Sequence, residues 1–404
     1  MSDLRTSIKF AIITAVGLLS LWLDPATAQT WPVCGVADTY PGNSWNLAEA
    51  ADYGWNPDKL STAKAVFDSL DSAAVMVVHR GRLIASWGNI AEKFNAQSVR
   101  KPLLNSLIGI AVDQGLLDID ATLKELNIND TKPALTELEQ VATVRDLMLS
   151  RSGIFHSALY EVGSWQRRRA KLAIKKAEAG NDKFSPGDYW IYNNWDFNAL
   201  GTIVEKVTDD QIGYLFDTHV ASHIEMQDFV PMDVEYTTKD SRTEQHFENW
   251  SEHRAYVFNI STRDLARYGL MYMNCGRWMG QNVVPASWVL ESIEGVDTKI
   301  GRPSDKSDFG FGGWGYLWQV DRDDFRRYEN LGVSEPTYMG TGNRGHVIFI
   351  MPYLNLVIVH QVATDAGVSF DVQYKRATQG SPSVSHEDIQ RLFSAIMAAH
   401  PKNQ

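Results

Sequence analysis

Two serines in this chain stand three positions before a lysine: Ser61 in STAK (61–64) and Ser98 in SVRKPL (98–103). Residues three apart share a helix face, so the amine can take the hydroxyl proton and turn the serine into a nucleophile. Such pairs also arise by chance in 404 residues, because both residue types are common. Their settings differ. Ser61 falls inside WNPDKLSTAKAVFDSL (55–70), a helix that Asn56 can cap, with Pro57 in its first turn and Leu60, Ala63 and Phe67 on one face. Ser98 follows a strand and the loop NAQ, and it opens the most apolar helix of the chain, LLNSLIGIAVDQG (103–115). A helix N-terminus gathers unpaired N–H groups and positive potential, which favour an alkoxide or an oxyanion. Pro102 suits a first turn. Lys101, one turn from Ser98 and half buried, then has a lowered pKa and can act as a base. On these two residues alone, a helix cap beside a solvent-facing charge is an equal reading.

Further residues bear on the choice. Tyr192-Asn193-Asn194, in SPGDYWIYNNWDFNALG (185–201), follows a Pro-Gly turn and precedes an apolar helix. Among the other Tyr-x-Asn triplets, Tyr272-Met273-Asn274 lies within an apolar helix and Tyr328-Glu329-Asn330 in a charged loop, both less favourable settings. A tyrosine beside a lysine can relay protons, and Asn194 can hold both the lysine and a substrate carbonyl.

Over roughly residues 55–395 the chain resembles the class C β-lactamase and penicillin-binding-protein-like serine hydrolases, including their esterase and 6-aminohexanoate-oligomer hydrolase relatives. SVRKPLLNSLIGIAVDQGLLDID resembles the family's Ser-x-x-Lys helix, and TVRDLMLSRSGI (143–154) the segment after it. SPGDYWIYNNWDFNALG resembles its Tyr-x-Asn loop and STRDLARYGLMYMNCGRW its late helix. The resemblance implies a strand of Lys-Thr-Gly or His-x-Gly type facing the nucleophile. Here its best match is Gly340-Thr341-Gly342, with glycine in the cation's place. Gly342-Asn343-Arg344-Gly345-His346 is closer to the Gly-x-Gly-Gly-Gln form of the esterase and oligomer-hydrolase relatives. The resemblance further implies an oxyanion hole from the N–H groups of Ser98 and Asn343, and no metal or cofactor. The missing cation argues against β-lactam recognition, and a Gly340→Lys change is expected to restore part of it only where a lysine fits and the strand keeps its shape. Arg344 is a candidate for a substrate carboxylate, against a plain loop arginine. His346 can line the site or pair within its strand.

Elements must bring these residues together. AAVMVVHRGRLIASWG (73–88) reads as a hairpin turning at Arg80-Gly81, FGGWGYLWQV (311–320) as a strand, and HVIFIMPYLNLVIVHQVAT (346–364) as a hairpin turning at 352–355. Helical signals dominate from Ser98 to about residue 230, and STRDLARYGLMYMNCG (261–276) is a further capped helix. The expected fold is therefore α/β (α+β), β-lactamase/transpeptidase-like: one antiparallel sheet from both chain ends, flanked by helices, with a mostly helical lobe (98–250) inserted.

Residues 1–28 read as a secretory signal, with Arg5 and Lys9 before the 14-residue apolar run 10–23 and Ala26-Thr27-Ala28 as cleavage site. Residues 29–404 form the hydrolase domain, expected to be periplasmic or secreted, without stable membrane insertion. The net charge of −11 argues against a nucleic-acid partner, and the one basic run, RRRAKLAIKK (167–176), reads as a solvated helix face. Export permits a disulfide between Cys34 and Cys275, and the sequence leaves open whether they meet. His219 and His223 have zinc-ligand spacing, but no glutamate stands between them and no third ligand follows, so a partly exposed helix terminus is the reading. Trp195, Trp314 and Trp318 are candidates for an acyl-pocket wall, against ordinary core packing. The expected partner is a small ester or amide, most simply an ester. A β-lactam, a D-amino-acid peptide, and an inactive binding protein of the same fold are the alternatives.

Overall fold

Strands from opposite ends of the chain pair with one another. β1 (Ser72–His79) and β2 (Arg82–Gly88) form the hairpin at Arg80-Gly81, and β1 also pairs with β13 (Leu356–Val362), Val77 opposite Ile358. β13 returns to β12 (His346–Met351) through the turn at 352–355. The antiparallel sheet continues through β11 (Thr337–Gly342), β10 (Gln319–Asp321), β9 (Gly313–Trp314) and β8 (Val296–Asp297). The computed structural model describes residues 31–131, 133–161, 170–176, 184–237, 251–298, 312–322, 331, 333–364 and 382–403. The 1–28 segment and Tyr328 lie outside these.

β12 and β13 are mostly apolar and buried throughout because both sheet faces are covered. The faces still alternate with the two-residue strand period. Val75, Val77, Val347, Phe349 and Ile358 point to one side, against α1 (Pro57–Asp68) and α6 (His386–Ala398). Met76, Val78, Ile348, Ile350, Val357 and Val359 point to the other, where α4 (Thr262–Met273) lies across the sheet. Beyond α4 sits the lobe that contains α2 (Arg100–Asp113) and α3 (Asn194–Thr208), with α5 (Ala286–Glu294) packed against α2. A small sheet joins β3 (Lys93–Asn95), β5 (Ala255–Ser261) and β4 (Val234–Thr237). β6 (Arg277–Trp278) and β7 (Gln281–Asn282) make a two-strand ladder.

Two expectations change, and one open question closes. The 311–320 segment is two strands, β9 and β10, because Gly315 N–H bonds to Trp318 O and Leu317 turns left-handed. Of the basic run, Lys171 and Lys175 are exposed, but Lys176 turns inward and pairs with buried Glu139 at 2.8 Å; residues 167–169 lie outside the described set. Cys34 and Cys275 are bonded, with Cα atoms 5.3 Å apart, which ties the 31–40 segment to the end of α4.

Closing 241 residues of chain removes much freedom from the unfolded state. Replacing both cysteines with serine is expected to cost about 2–4 kcal/mol in chemical denaturation. An unchanged midpoint under oxidising conditions would contradict the pairing.

Candidate active site

β3 ends at Asn95, and one tight turn, Gln97–Val99, delivers Ser98 to the head of α2. Ser98 is partly exposed, and its Oγ is held from two sides. Lys101 Nζ donates to it at 2.8 Å, and Tyr192 OH lies 2.8 Å away. Every residue from Arg100 to Ala111 is buried, so Lys101 is not half buried but 2% exposed. Its amine sits 4.7 Å from the Phe197 ring centre and 4.8 Å from that of Tyr192. Burial, and then the charge of Arg100, hold its pKa well below the usual lysine value. Both effects favour the neutral amine, the form that can accept a proton. Ser61, by contrast, is exposed on α1, and Lys64 beside it is paired with Asp68.

The loop before α3 aims Tyr192. Its ring meets Phe197 and Trp314 edge-on, at 5.0 and 5.7 Å. Asn193, not Asn194, anchors this loop. Its Oδ1 accepts from Trp195 N–H as the helix cap, and its Nδ2 donates to Ile154 O at 2.7 Å and Asp196 Oδ1 at 2.8 Å. Ser152 Oγ donates to the same Asp196 oxygen at 2.6 Å. Burial pushes the Asp196 carboxyl well above its usual range. Asn194 is the first residue inside α3 and is buried, and no hydrogen bond joins it to Lys101. Asn193, Asp196 and Ser152 escaped sequence reasoning, although the Asn-x-x-Asp spacing of a capped helix start was there to be read.

The strand matched to the third motif does approach the segment that carries Ser98. A side chain on Gly342 would meet Ala96 O at 2.8 Å and Gln97 Cβ at 3.0 Å. One on Gly340 would meet Pro102 Cγ at 2.8 Å and Ile348 Cγ2 at 3.1 Å. Gly340 is therefore where β11 presses against the start of α2. A lysine there would collide with Pro102, so the expected rescue by Gly340→Lys does not follow. Thr341 Oγ1 accepts from Gln319 Nε2 at 2.9 Å. Asn343 is exposed and its Oδ1 accepts from Arg344 N–H. Arg344, partly exposed and left-handed at φ 70°, lies within electrostatic reach of Tyr160. His346 does not line the site: it is fully buried, its Nε2 is 2.9 Å from Thr364 Oγ1, and burial pushes its pKa down to about 3. Of the three tryptophans, Trp314 backs Tyr192, Trp318 packs on Tyr272, and Trp195 donates to Asp130 at 2.7 Å. His219 is partly exposed and His223 exposed, in an open pocket of about 260 Å³ with Asp113 and Gln114.

Behind the Tyr192 loop lies a buried charge cluster that the sequence did not announce. His156 stands 3.6 Å from Asp130 and 3.5 Å from Glu139, and Lys176 donates to Glu139 and to Gly153 O. Burial works to lower the His156 pKa, yet the two carboxylates raise it overall. Burial works to raise Glu139, yet His156 and Lys176 bring it down to about 2; Asp130 is lowered likewise by His156 and Trp195.

A family model described as Beta-lactamase matches residues 63–379. An uncharacterised protein of Alkalihalophilus pseudofirmus is 24% identical over 312 residues, 71% of this chain and 82% of the relative. Among solved structures, a protein of Bacillus anthracis described as a 6-aminohexanoate-dimer hydrolase superposes with a TM-score of 0.57 at 18% identity, covering 91% of this chain and 89% of the other. A β-lactamase from Mycobacterium bovis superposes with a TM-score of 0.53 at 18% identity, covering 83% and 97%. At these identities the likeness establishes a shared fold.

The cluster sets a pH response. A histidine with a raised folded pKa stabilises fully below its unfolded value of about 6.5, and loses that contribution as pH rises through the folded value. The stability difference between wild type and His156→Ala is therefore expected to be largest below about pH 6.5 and to shrink at alkaline pH. A difference independent of pH in thermal melts would show that His156 is not charged in the fold.

Proposed function

The chain belongs to the β-lactamase family, and on that premise we propose that it is a serine hydrolase that cleaves an ester or amide bond through an acyl-enzyme on Ser98. The observation that carries this reading is Ser98 Oγ placed 2.8 Å from both Lys101 Nζ and Tyr192 OH. Ser98 Oγ bonds to the substrate carbonyl carbon while its proton passes to the neutral Lys101 amine and Tyr192. The resulting oxyanion is met by the backbone N–H groups of Ser98, at a helix start, and of Asn343. Collapse breaks the bond to the leaving alcohol or amine, which takes the proton back. Water then adds to the acyl-enzyme, its proton following the same relay, and releases the acid.

Gly340 favours a neutral substrate. A charge-assisted hydrogen bond to a substrate carboxylate is worth roughly 1.5–3 kcal/mol, or about ten-fold to over a hundred-fold in rate. No cation stands at 340 to supply it, and Pro102 and Ile348 leave no room for one. A neutral short-chain ester never uses that contact. A second reading, an amide or β-lactam substrate bearing a carboxylate, is favoured by Arg344 at the rim, and the 6-aminohexanoate-dimer hydrolase description of a structural relative supports the amide form. We further propose export, with the Cys34–Cys275 bond as support, because disulfides persist in oxidising compartments.

A fluorophosphonate probe with peptide mapping separates the enzyme from an inactive relative. Labelling is expected on Ser98, lost in Ser98→Ala and kept in Ser61→Ala; a folded protein that takes no label refutes the enzyme. Lys101→Ala and Tyr192→Phe should each slow turnover by about 10²-fold or more, and the double variant by less than the product, since both serve one proton. On p-nitrophenyl esters beside nitrocefin, kcat/KM is expected to favour the neutral ester by at least about ten-fold. Efficient nitrocefin turnover with negligible ester turnover would select the second reading.

A further inference from the structure

The residue before the nucleophile is held in a conformation its type disfavours. Gln97 has φ 52°, a left-handed backbone that costs a non-glycine residue roughly 1–2 kcal/mol. Such a conformer persists only where its surroundings fix it. Asn95, 3% exposed, does the fixing. The Gln97 N–H donates to Asn95 Oδ1 at 2.9 Å, a side-chain turn spanning two residues. A backbone N–H can only donate, so the Asn95 atom there is its carbonyl oxygen. The same oxygen accepts from Tyr160 OH at 2.8 Å, and that phenol also reaches Gln97 Oε1 at 3.0 Å. Tyr160 comes from the helical lobe and is itself left-handed at φ 60°.

Asn95 is tied by its main chain as well. Its N–H donates to Thr364 O at 3.3 Å, and its carbonyl accepts from Thr364 Oγ1 at 2.9 Å. With the threonine proton committed to a carbonyl, His346 Nε2 must donate to Thr364 Oγ1, which fixes the tautomer of the first residue after the Asn343 turn. Asn95 thus touches the segment before Ser98, the lobe, and the strands that follow the oxyanion turn.

Resting on the hydrolase reading, we propose that Asn95 is a positioning residue: by holding Gln97 left-handed, with Tyr160 as clamp, it sets the direction of the Ser98 Oγ and N–H. A misplacement on the order of 1 Å at a nucleophile costs about 10²-fold in rate. The test measures the maximal labelling rate of Ser98 by a fluorophosphonate, the probe concentration giving half that rate, and the melting temperature. Asn95→Ala is expected to lower the maximal rate by about ten-fold to a hundred-fold with little change in the half-saturating concentration. Adding Gln97→Gly, which adopts positive φ without penalty, is expected to restore most of that rate while leaving the lost hydrogen bonds unrepaired. A purely structural role would lower the melting temperature and leave the rate of the folded protein alone. Asn95→Ala that labels as fast as wild type, or that is slow and stays equally slow with Gln97→Gly, overturns the proposal. Should Asn95→Ala not fold, Asn95→Asp decides, since it keeps an acceptor for both donors: near-wild-type labelling agrees, and a folded, slow Asn95→Asp overturns it. A wild-type chain that takes no label on Ser98 overturns the hydrolase reading, and this inference with it. A labelled wild type beside an equally reactive Asn95→Ala overturns this inference alone.

Discussion

A lysine amine buried from solvent and, among the described residues, paired with no carboxylate is the constraint on which the rest of this structure depends. Desolvation makes a charged ammonium costly, and Lys101 is enclosed by the Tyr192 and Phe197 rings with Ser98 Oγ as its hydrogen-bond partner. An ion pair would have restored the charge and left no free amine to accept a proton. Dryness requires that α2 be covered on all sides. The lobe helix α3, the helix α5 and the strand β11 each supply one wall, through Phe197, through Trp288 against Gly109, and through Gly340 against Pro102. The fold is in this sense a means of burying one helix N-terminus while leaving Ser98 partly open.

How far the sequence foretold this depends on whether a signal is local. Ser98 was distinguishable from Ser61 because helix starts and amphipathic faces are written in consecutive residues. The same holds for the hairpin at Arg80-Gly81 and for the sheet drawn from both chain ends. The depth of Lys101 was underestimated, because its walls come from residues nearly a hundred positions or more away. The Asp130–Glu139–His156–Lys176 cluster and the Cys34–Cys275 bond were illegible for the same reason: pairing across the chain leaves no periodic trace. Asn193 and Asn194 are adjacent and identical in type, so only the path of the backbone decides which of them caps α3 and which points elsewhere.

Gly340 carries two physical meanings, one in the sequence and one in the fold. From sequence it is a missing cation, a loss of charge. In the fold it is a contact, the place where β11 touches Pro102 and Ile348. The two readings agree that no side chain at 340 meets a substrate carboxylate, but they differ on reversibility. A lost charge can be put back, whereas a close approach between a strand and a helix cannot admit a lysine without moving one of them. The glycine and Pro102 are parts of one packing solution, so the architecture around Ser98 leaves no room for a cationic side chain at 340.

Arg100 completes the electrostatic argument. It is fully buried beside Lys101, and its guanidinium meets neutral groups, Tyr256 O at 3.2 Å, Asn198 Oδ1 at 2.9 Å, and the faces of Tyr256 and Tyr160 at 4.3 and 5.5 Å, while its Nε finds no partner among the described residues. Among the described residues no carboxylate pairs with it. Dipoles and π-faces hold the cation in place without cancelling its charge. That charge acts at short range in a dry surround, where it adds to burial in opposing protonation of Lys101. An acidic partner for Arg100 would stabilise the arginine and silence its field at the neighbouring amine. Held by neutral groups, the Arg100 charge adds to burial in keeping the Lys101 pKa low beside Ser98.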